Sequence, residues 1–384
     1  MIWPTRPLGE LTVNHDGKRR PVKEADRRPG PFPYYGASGV VDYVDDYLID
    51  GDYLLIAEDG ENLRTRQTPI AFMARGKSWV NNHAHIVTGN NQADTRFLMY
   101  ALQATDIGGY LTGAVMPKLT QANLNRIEIP CPHIDVQRDI AGVLGALDDK
   151  IELNRRIGQT LGAIAQAIFK SRFVDGTPDA GNLVTLKDLT SKIGSGATPR
   201  GGRDVYVDEG VGLIRSQNVY DSQFVWDGLA RITDEAASQL ANVQVQPGDV
   251  LLNITGASIL RTCVVPPDVL PARVNQHVAI IRAKPGVSPH YLHLHLLQPD
   301  TKAYLLGLNA GASREAVTKA HIESVPVPDP GADRMAEFHE LVAPLFSQAQ
   351  ALAAEARTLA ALRDSLLPKL LSGELNVLDA EAVA

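Results

Sequence analysis

Several groups of residues have types and spacings that could do chemistry. Glu58, Asp59 and Glu61 could suggest the carboxylates of a nuclease, but no lysine follows at the needed spacing, and they read as an acidic turn. Gly76-Lys77-Ser78 is half of a phosphate-binding loop, yet Ala71 stands where its first glycine belongs, which leaves a surface turn. His83 and His85 alternate on an expected strand and could share a face. His293 and His295 fall two apart in a helical stretch, where such positions diverge. Metal binding is the lesser reading of both pairs. An adenine methyltransferase grips its flipped base with an Asn/Asp-Pro-Pro-Tyr/Phe phrase. The only Pro-Pro here, Pro266-Pro267, lies between Val265 and Asp268 and does not qualify. A glycine-rich cofactor loop after a strand is also missing.

What remains is the chemistry of polar, basic loops. Residues 14–28 carry Lys18, Arg19, Arg20, Lys23, Arg27 and Arg28 against three acids. Tyr34, Tyr35 and Ser38 follow. Residues 192–203 (KIGSGATPRGGR) offer Lys192, Ser195, Thr198, Arg200 and Arg203 among glycines, which let backbone N–H groups approach phosphates. Arg215-Ser216-Gln217-Asn218 follows a short expected strand: Arg suits guanine, Gln and Asn suit adenine. Ser258 and Arg261 bound a further loop. The bland reading of each loop is a solvated surface.

Larger elements must position these loops. In residues 136–173, Ile140, Leu144, Leu147 and Ile151 fall four, three and four apart; Ile157, Leu161, Ile164 and Ile168 repeat the beat. In residues 335–371 the beat returns through Phe338, Val342, Leu345, Ala349, Leu352, Ala356, Leu359, Leu362 and Leu366. These are coiled-coil seams, and the obvious partner for one is the other. Asn154 lies near the middle of the first, either buried and fixing register or exposed. The phrases Ile129-Pro130-Cys131-Pro132 and Val325-Pro326-Val327-Pro328 introduce the two helices.

The repeat extends further. Gly51-Asp52-Tyr53-Leu54-Leu55 matches Gly248-Asp249-Val250-Leu251-Leu252, Val80-Asn81-Asn82-His83 matches Val274-Asn275-Gln276-His277, and Phe97-Leu98 matches Tyr291-Leu292. The plan is a domain over 1–132, a helix over 133–174, a domain over 183–328 and a helix over 329–375. Asp175 to Asn182 reads as a turn-rich linker. Residues 249–255 and 278–282 read as strands, and Pro289 to Leu306 as one helix. The expected class is α+β: two domains, each a curled sheet with helices, joined by two long antiparallel helices in a tandem pseudo-twofold repeat.

The chain has 384 residues, enough for two or more domains, and a net charge of −7, so any DNA contact belongs to local basic patches. Its two cysteines, Cys131 and Cys263, suggest neither a disulfide framework nor a zinc site. The N-terminus lacks an apolar signal region and no run would span a bilayer, so a cytoplasmic protein is expected.

The arrangement resembles the specificity subunit of type I restriction-modification systems. The resemblance covers nearly the whole chain and is carried by two recognition domains alternating with two similar helices. Residues 32–39 (FPYYGASG), Ala57-Glu58-Asp59-Gly60, Val80-Asn81-Asn82-His83, residues 193–199 (IGSGATP) and the ending 366–375 (LLPKLLSGEL) fit as well. It implies a non-catalytic subunit that holds double-stranded DNA and carries modification subunits, two copies being expected. Those methylate adenine with S-adenosylmethionine, so this chain binds no cofactor itself; a restriction subunit can join. His83 and His277 then have two readings, DNA contact or a hydrogen-bonded turn that fixes each repeat. The second leads, because a feature shared by domains that read different sequences does not specify bases. About 37 residues of helix reach roughly 55 Å at ~1.5 Å per residue, enough to hold two readers more than one duplex turn apart. The alternative is a coiled-coil scaffold whose paired domains bind protein or glycan.

Overall fold

The computed structural model describes residues 3–175, 182–308, 316–377 and 380. Most of the expected linker, residues 176–181, lies outside the described residues. Two compact units form, one from Met1–Asn154 with Glu355–Ala384 and the other from Arg155–Ala354. Each therefore holds a domain plus half of each long helix. No described helix is long and apolar enough to cross a membrane.

The first unit contains strands β1 (Thr5–Pro7), β2 (Thr12–Asn14), β3 (Pro29–Gly36), β4 (Gly39–Val44), β5 (Tyr53–Ala57), β6 (Ala71–Ala74), β7 (Trp79–Val80), β8 (Ala84–Gly89) and β9 (Glu128–Pro130). A four-stranded sheet runs β2-β8-β5-β6, a smaller one β4-β3-β7, and β1 pairs with β9. Its central strand β5 is apolar throughout, and Leu54, Leu55, Ile56 and Ala57 are buried. A strand covered on both faces loses the polar alternation of a half-exposed one. The helix Thr95–Ala104 packs Phe97, Leu98 and Leu102 into the same core; its cap Asp94 accepts from Arg96 N and Phe97 N.

The second unit contains β10 (Leu183–Thr185), β11 (Thr190–Ser195), β12 (Tyr206–Val207), β13 (Val211–Ile214), β14 (Val219–Tyr220), β15 (Gln223–Phe224), β16 (Ala230–Ile232), β17 (Val250–Asn253), β18 (Thr262–Val264), β19 (Ala272–Val274), β20 (Val278–Ala283) and β21 (Pro326–Pro328). Its main sheet, β11-β20-β17-β18, repeats the first unit's order. Leu251 opposes Ile280 as Leu55 opposes Ile86. The parallel pair β13–β19 repeats β3–β7, and β10–β21 repeats β1–β9. The expected helix 289–306 is broken into Pro289–Leu296 and Pro299–Gly307. Pro299 has no N–H to continue the helix and holds Gln298 extended, at φ −63 and ψ 137.

The long helices are Ile134–Phe173 and Ala332–Ser372. In the first unit Asp148 pairs with Arg363 at 2.7 Å and Asn154 with Glu355 at 2.9 Å. Residue numbers rise along one helix as they fall along the other, so the pair is antiparallel. Ile140, Leu144 and Leu147 bury against Leu366 and Leu370. In the second unit Phe169 meets Phe338 edge-on at 6.0 Å and Arg172 pairs with Glu337 at 3.6 Å.

The seam corrects the expected phase. Continuing the heptad from Ile151 puts Asn154, Gly158, Leu161 and Ala165 inward, and Asn154 (1% exposed) and Ala165 are indeed buried. The second expected beat began six residues after Ile151, which no 3–4 spacing allows. Its Ile157 and Ile164 face outward, 38% and 43% exposed. A Cβ added at Gly158 or Gly162 would meet nothing within 4 Å, so the middle of the seam is thinly filled.

Candidate nucleic-acid interface

The Asn-x-His phrases are the hinge of each domain's geometry. Asn81 Oδ1 accepts from His83 N at 2.8 Å, and Asn275 Oδ1 from His277 N at 3.0 Å. Asn81 N donates to Tyr35 O, and Asn275 N to Ile214 O. The histidine carbonyls then accept from Glu58 N and Ile254 N. A side-chain turn of this kind satisfies backbone donors where the strand ladder ends. Its recurrence supports the structural reading of the phrase. The imidazoles differ: His83 Nδ1 meets Asp59 at 2.9 Å, whereas Thr255 Oγ1 lies 2.7 Å from His277 Nδ1. Among the described residues no three His, Cys, Asp or Glu side chains gather as metal ligands.

In the first domain the basic loop is anchored through Asp16, whose carboxylate accepts from Ile86 N at 2.7 Å and lies 2.7 Å from His85 Nδ1. Arg19 bonds Glu58 and the Ala84 carbonyl, and Lys118 Nζ reaches Glu58 at 3.2 Å. Burial opposes charge on His85, but its bonds to Asp16 and to the Leu119 carbonyl outweigh it and raise its pKa. Glu58 is likewise desolvated, yet Arg19 and Lys118 hold it below the usual carboxylate range. Arg19 therefore spends its charge inside the domain; as a DNA contact it is corrected. Lys18 and Arg20 are exposed, Lys18 lying over the Tyr53 ring at 5.3 Å.

Tyr34 is also corrected. It is 1% exposed, its hydroxyl accepts from Val22 N at 3.0 Å, and the Arg27 guanidinium covers its ring at 4.5 Å. It sits in β3, whose alternation turns it inward. Tyr35 is half-buried against Phe72, with ring centroids 5.9 Å apart. Ser38 is exposed at the tight turn between β3 and β4.

In the second domain the glycine-rich loop carries exposed Ser195, Thr198, Arg200 and Arg203. Thr198 Oγ1 donates to Gln276 Oε1 at 2.7 Å, which ties the loop to the Asn-x-His turn. Gly196 is required by packing: a Cβ there would lie 1.7 Å from the Val274 carbonyl oxygen. Its N–H already donates to Asn275 O, so it offers phosphate nothing. Lys192 is half-buried, and its ammonium is taken by the Asn242 carbonyl.

The four residues that followed β13 are braces. Asn218 is fully buried; Oδ1 accepts from Arg215 N at 3.0 Å and Nδ2 donates to Val225 O at 2.9 Å. This corrects its assignment to an adenine edge, because every reading atom faces backbone. Arg215 Nη2 and Gln217 Nε2 both donate to the Gly228 carbonyl, at 2.6 and 3.1 Å. Together they pin a segment that carries the β14–β15 hairpin. Ser258 Oγ accepts from Asn253 Nδ2 at 3.2 Å, and the Arg261 guanidinium lies on the Tyr220 ring at 4.3 Å. Tyr220 was missed in the sequence. Its signal is Val219-Tyr220-Asp221-Ser222-Gln223-Phe224, two short pairs that each carry an aromatic residue around an Asp-Ser turn.

Comparisons place these features among known proteins. A model of the type I restriction modification DNA specificity domain matches residues 2–163. A protein of Haemophilus influenzae named as a type I restriction enzyme specificity subunit is 39% identical over 142 residues, 37% of this chain and 36% of that protein. The chain thus spans about a third of that relative's length. The MjaIX specificity subunit of Methanocaldococcus jannaschii is 23% identical and matches along 98% of this chain and 94% of its own. The fold is similar to the crystal structure of a type I restriction-modification S subunit from M. genitalium: TM-score 0.65, 15% identity, 96% of each chain covered.

Proposed function

We propose that the chain belongs to the specificity subunits of type I restriction-modification systems and that it chooses the DNA sequence on which such a complex acts. Each domain reads one half of a bipartite target in double-stranded DNA. The paired helices set the gap between the halves and carry two modification subunits. Adenine methylation and S-adenosylmethionine belong to those partners; this chain catalyses nothing and holds no cofactor. A restriction subunit can join the same complex, which works in the cytoplasm.

One observation carries this reading: the same sheet order occurs twice, while the loops above the sheets differ. β2-β8-β5-β6 and β11-β20-β17-β18 are equivalent scaffolds. Their loops share little: a basic arm and a tight turn in the first domain, a glycine-rich loop and a braced hairpin in the second. Equivalent scaffolds with unlike loops suit two readers of unlike sequences.

The test compares the purified chain alone with the chain plus its modification subunits and S-adenosylmethionine. Methylated adenines should appear only in the complex, at two half-sites a fixed distance apart. One heptad inserted into both helices should keep the half-sites and lengthen the gap by about three base pairs, since it adds roughly 10 Å. Methyl transfer by the isolated chain would refute the reading.

A further inference from the structure

The second domain joins β13 to β16 through residues 215–229, where the first domain turns from β3 to β4 at Ala37-Ser38. That extra segment folds as the β14–β15 hairpin and docks on β18. Ser222 N donates to Thr262 O at 2.9 Å, and Thr262 N donates to Asp221 Oδ1 at 3.1 Å. Lys302 holds the other Asp221 oxygen at 2.6 Å. Docking brings the Tyr220 ring beneath Arg261.

The backbone on both sides of this contact is strained. Ser222 has φ +59 and Leu260, next to Arg261, has φ +64. Leu260 is 2% exposed and has no polar side chain to ease a left-handed conformation. Strain of this kind persists only where surrounding structure enforces it, and it gathers at functional sites. Asn253 does the enforcing. It is fully buried, its Nδ2 donates to Ser216 O, Val219 O and Ser258 Oγ, and its backbone pairs with Leu260 N and Arg261 O. Its buried Oδ1 has no partner among the described residues.

The Arg261 guanidinium is thus held over an aromatic face, its Cζ 4.3 Å from the Tyr220 ring centroid, and among the described residues no side-chain hydrogen bond or ion pair engages it. A planar fork fixed in this way matches the O6 and N7 acceptors of guanine. A phosphate contact needs charge but not a fixed plane, so it would not repay the strain. The segment is also peculiar to one domain, as a half-site-specific reader must be.

We propose that Arg261 reads a guanine edge in the half-site of the second domain, with Tyr220 and Asn253 as positioning residues. This rests on the DNA-recognition reading above. The test uses the full chain with its modification subunits and a pool of duplexes randomised across the target, with bound molecules sequenced. Arg261→Ala should lose preference for G·C at one position of one half-site, by about 5- to 150-fold. Arg261→Lys, which keeps the charge and loses the fork, should lose it too. Tyr220→Ala should blunt the same position, and Tyr220→Phe should restore it. Full selectivity in Arg261→Lys would overturn the proposal. So would a uniform weakening of all sequences by Arg261→Ala with a shallower salt dependence, which marks a phosphate contact. If the unaltered complex selects no sequence, the failure lies in the DNA-recognition reading instead.

Discussion

Asn154 Nδ2 donates to Glu355 Oε2 at 2.9 Å across the paired helices, with Lys150 on the other Glu355 oxygen at 3.5 Å. Between Asp148 and Ile164 of the central helix, Asn154 is the only buried residue among those described, and its Oδ1 has no partner. A polar group in an apolar seam gives up stability and excludes other registers.

Asn154→Leu should therefore raise the unfolding free energy, by about 1 kcal/mol, since an unsatisfied buried group is removed. It should also loosen register. Spin labels on exposed Gly142 and Ser365 should give one distance in the parent and several in the variant. A less stable variant with one sharp distance would make the pair a stabilising contact only.

Gly158→Ala and Gly162→Ala should each stabilise the helix by roughly 0.5–1 kcal/mol, because an interior glycine costs that much and the new methyl groups meet nothing. Amide exchange should slow around residues 155–163. Unchanged exchange would mean that this part of the helix is already held by other contacts.

Asn218→Ala should destabilise the second unit by about 1–3 kcal/mol, the cost of stranding buried backbone groups. Hydrogen exchange of residues 215–225 should rise. A variant that folds as stably as the parent but changes one base preference would return Asn218 to the readers.

Four histidines should respond to acid in two opposite ways. Burial lowers the pKa of His290 to about 4, of His293 to about 3 and of His295 to about 4. Unfolded, each binds a proton near 6.5. Their contribution is whole above that value and is lost as pH falls from 6.5 towards 4, by roughly 1 kcal/mol per histidine at about pH 5.5. His85 is the reverse: its folded pKa is raised, so its contribution is whole below 6.5 and is lost as pH rises through the folded value. Peptide-resolved exchange at about pH 7.5 and 5.5 should show the helix Pro289–Leu296 loosening and the strand around His85 not. Equal loosening of the helix and the strand would contradict these assignments.

The tandem plan was legible because apolar spacing and repeated phrases are one-dimensional signals. Ile140, Leu144 and Leu147 kept their places; Ile157 and Ile164 did not, because polar Asn154 and small Gly158 hid the true phase. The Asn-x-His turns were readable because repetition argues for a structural role. Asn218 and Tyr34 were not. A polar or aromatic residue near a strand end looks the same in sequence whether it faces solvent or backbone. Arg19 was hidden similarly, since its partner Glu58 lies 39 positions away.

The clasps β1–β9 and β10–β21 have an evolutionary consequence. Thr5 lies opposite Pro130, and Leu183 opposite Pro328. The chain enters and leaves each domain side by side. Everything between the clasp strands is a cassette, and replacing it requires no rethreading of the polypeptide. On the reading proposed above, recombination between genes that share the clasp and helix sequences would exchange one reader in one step, with the other inherited intact.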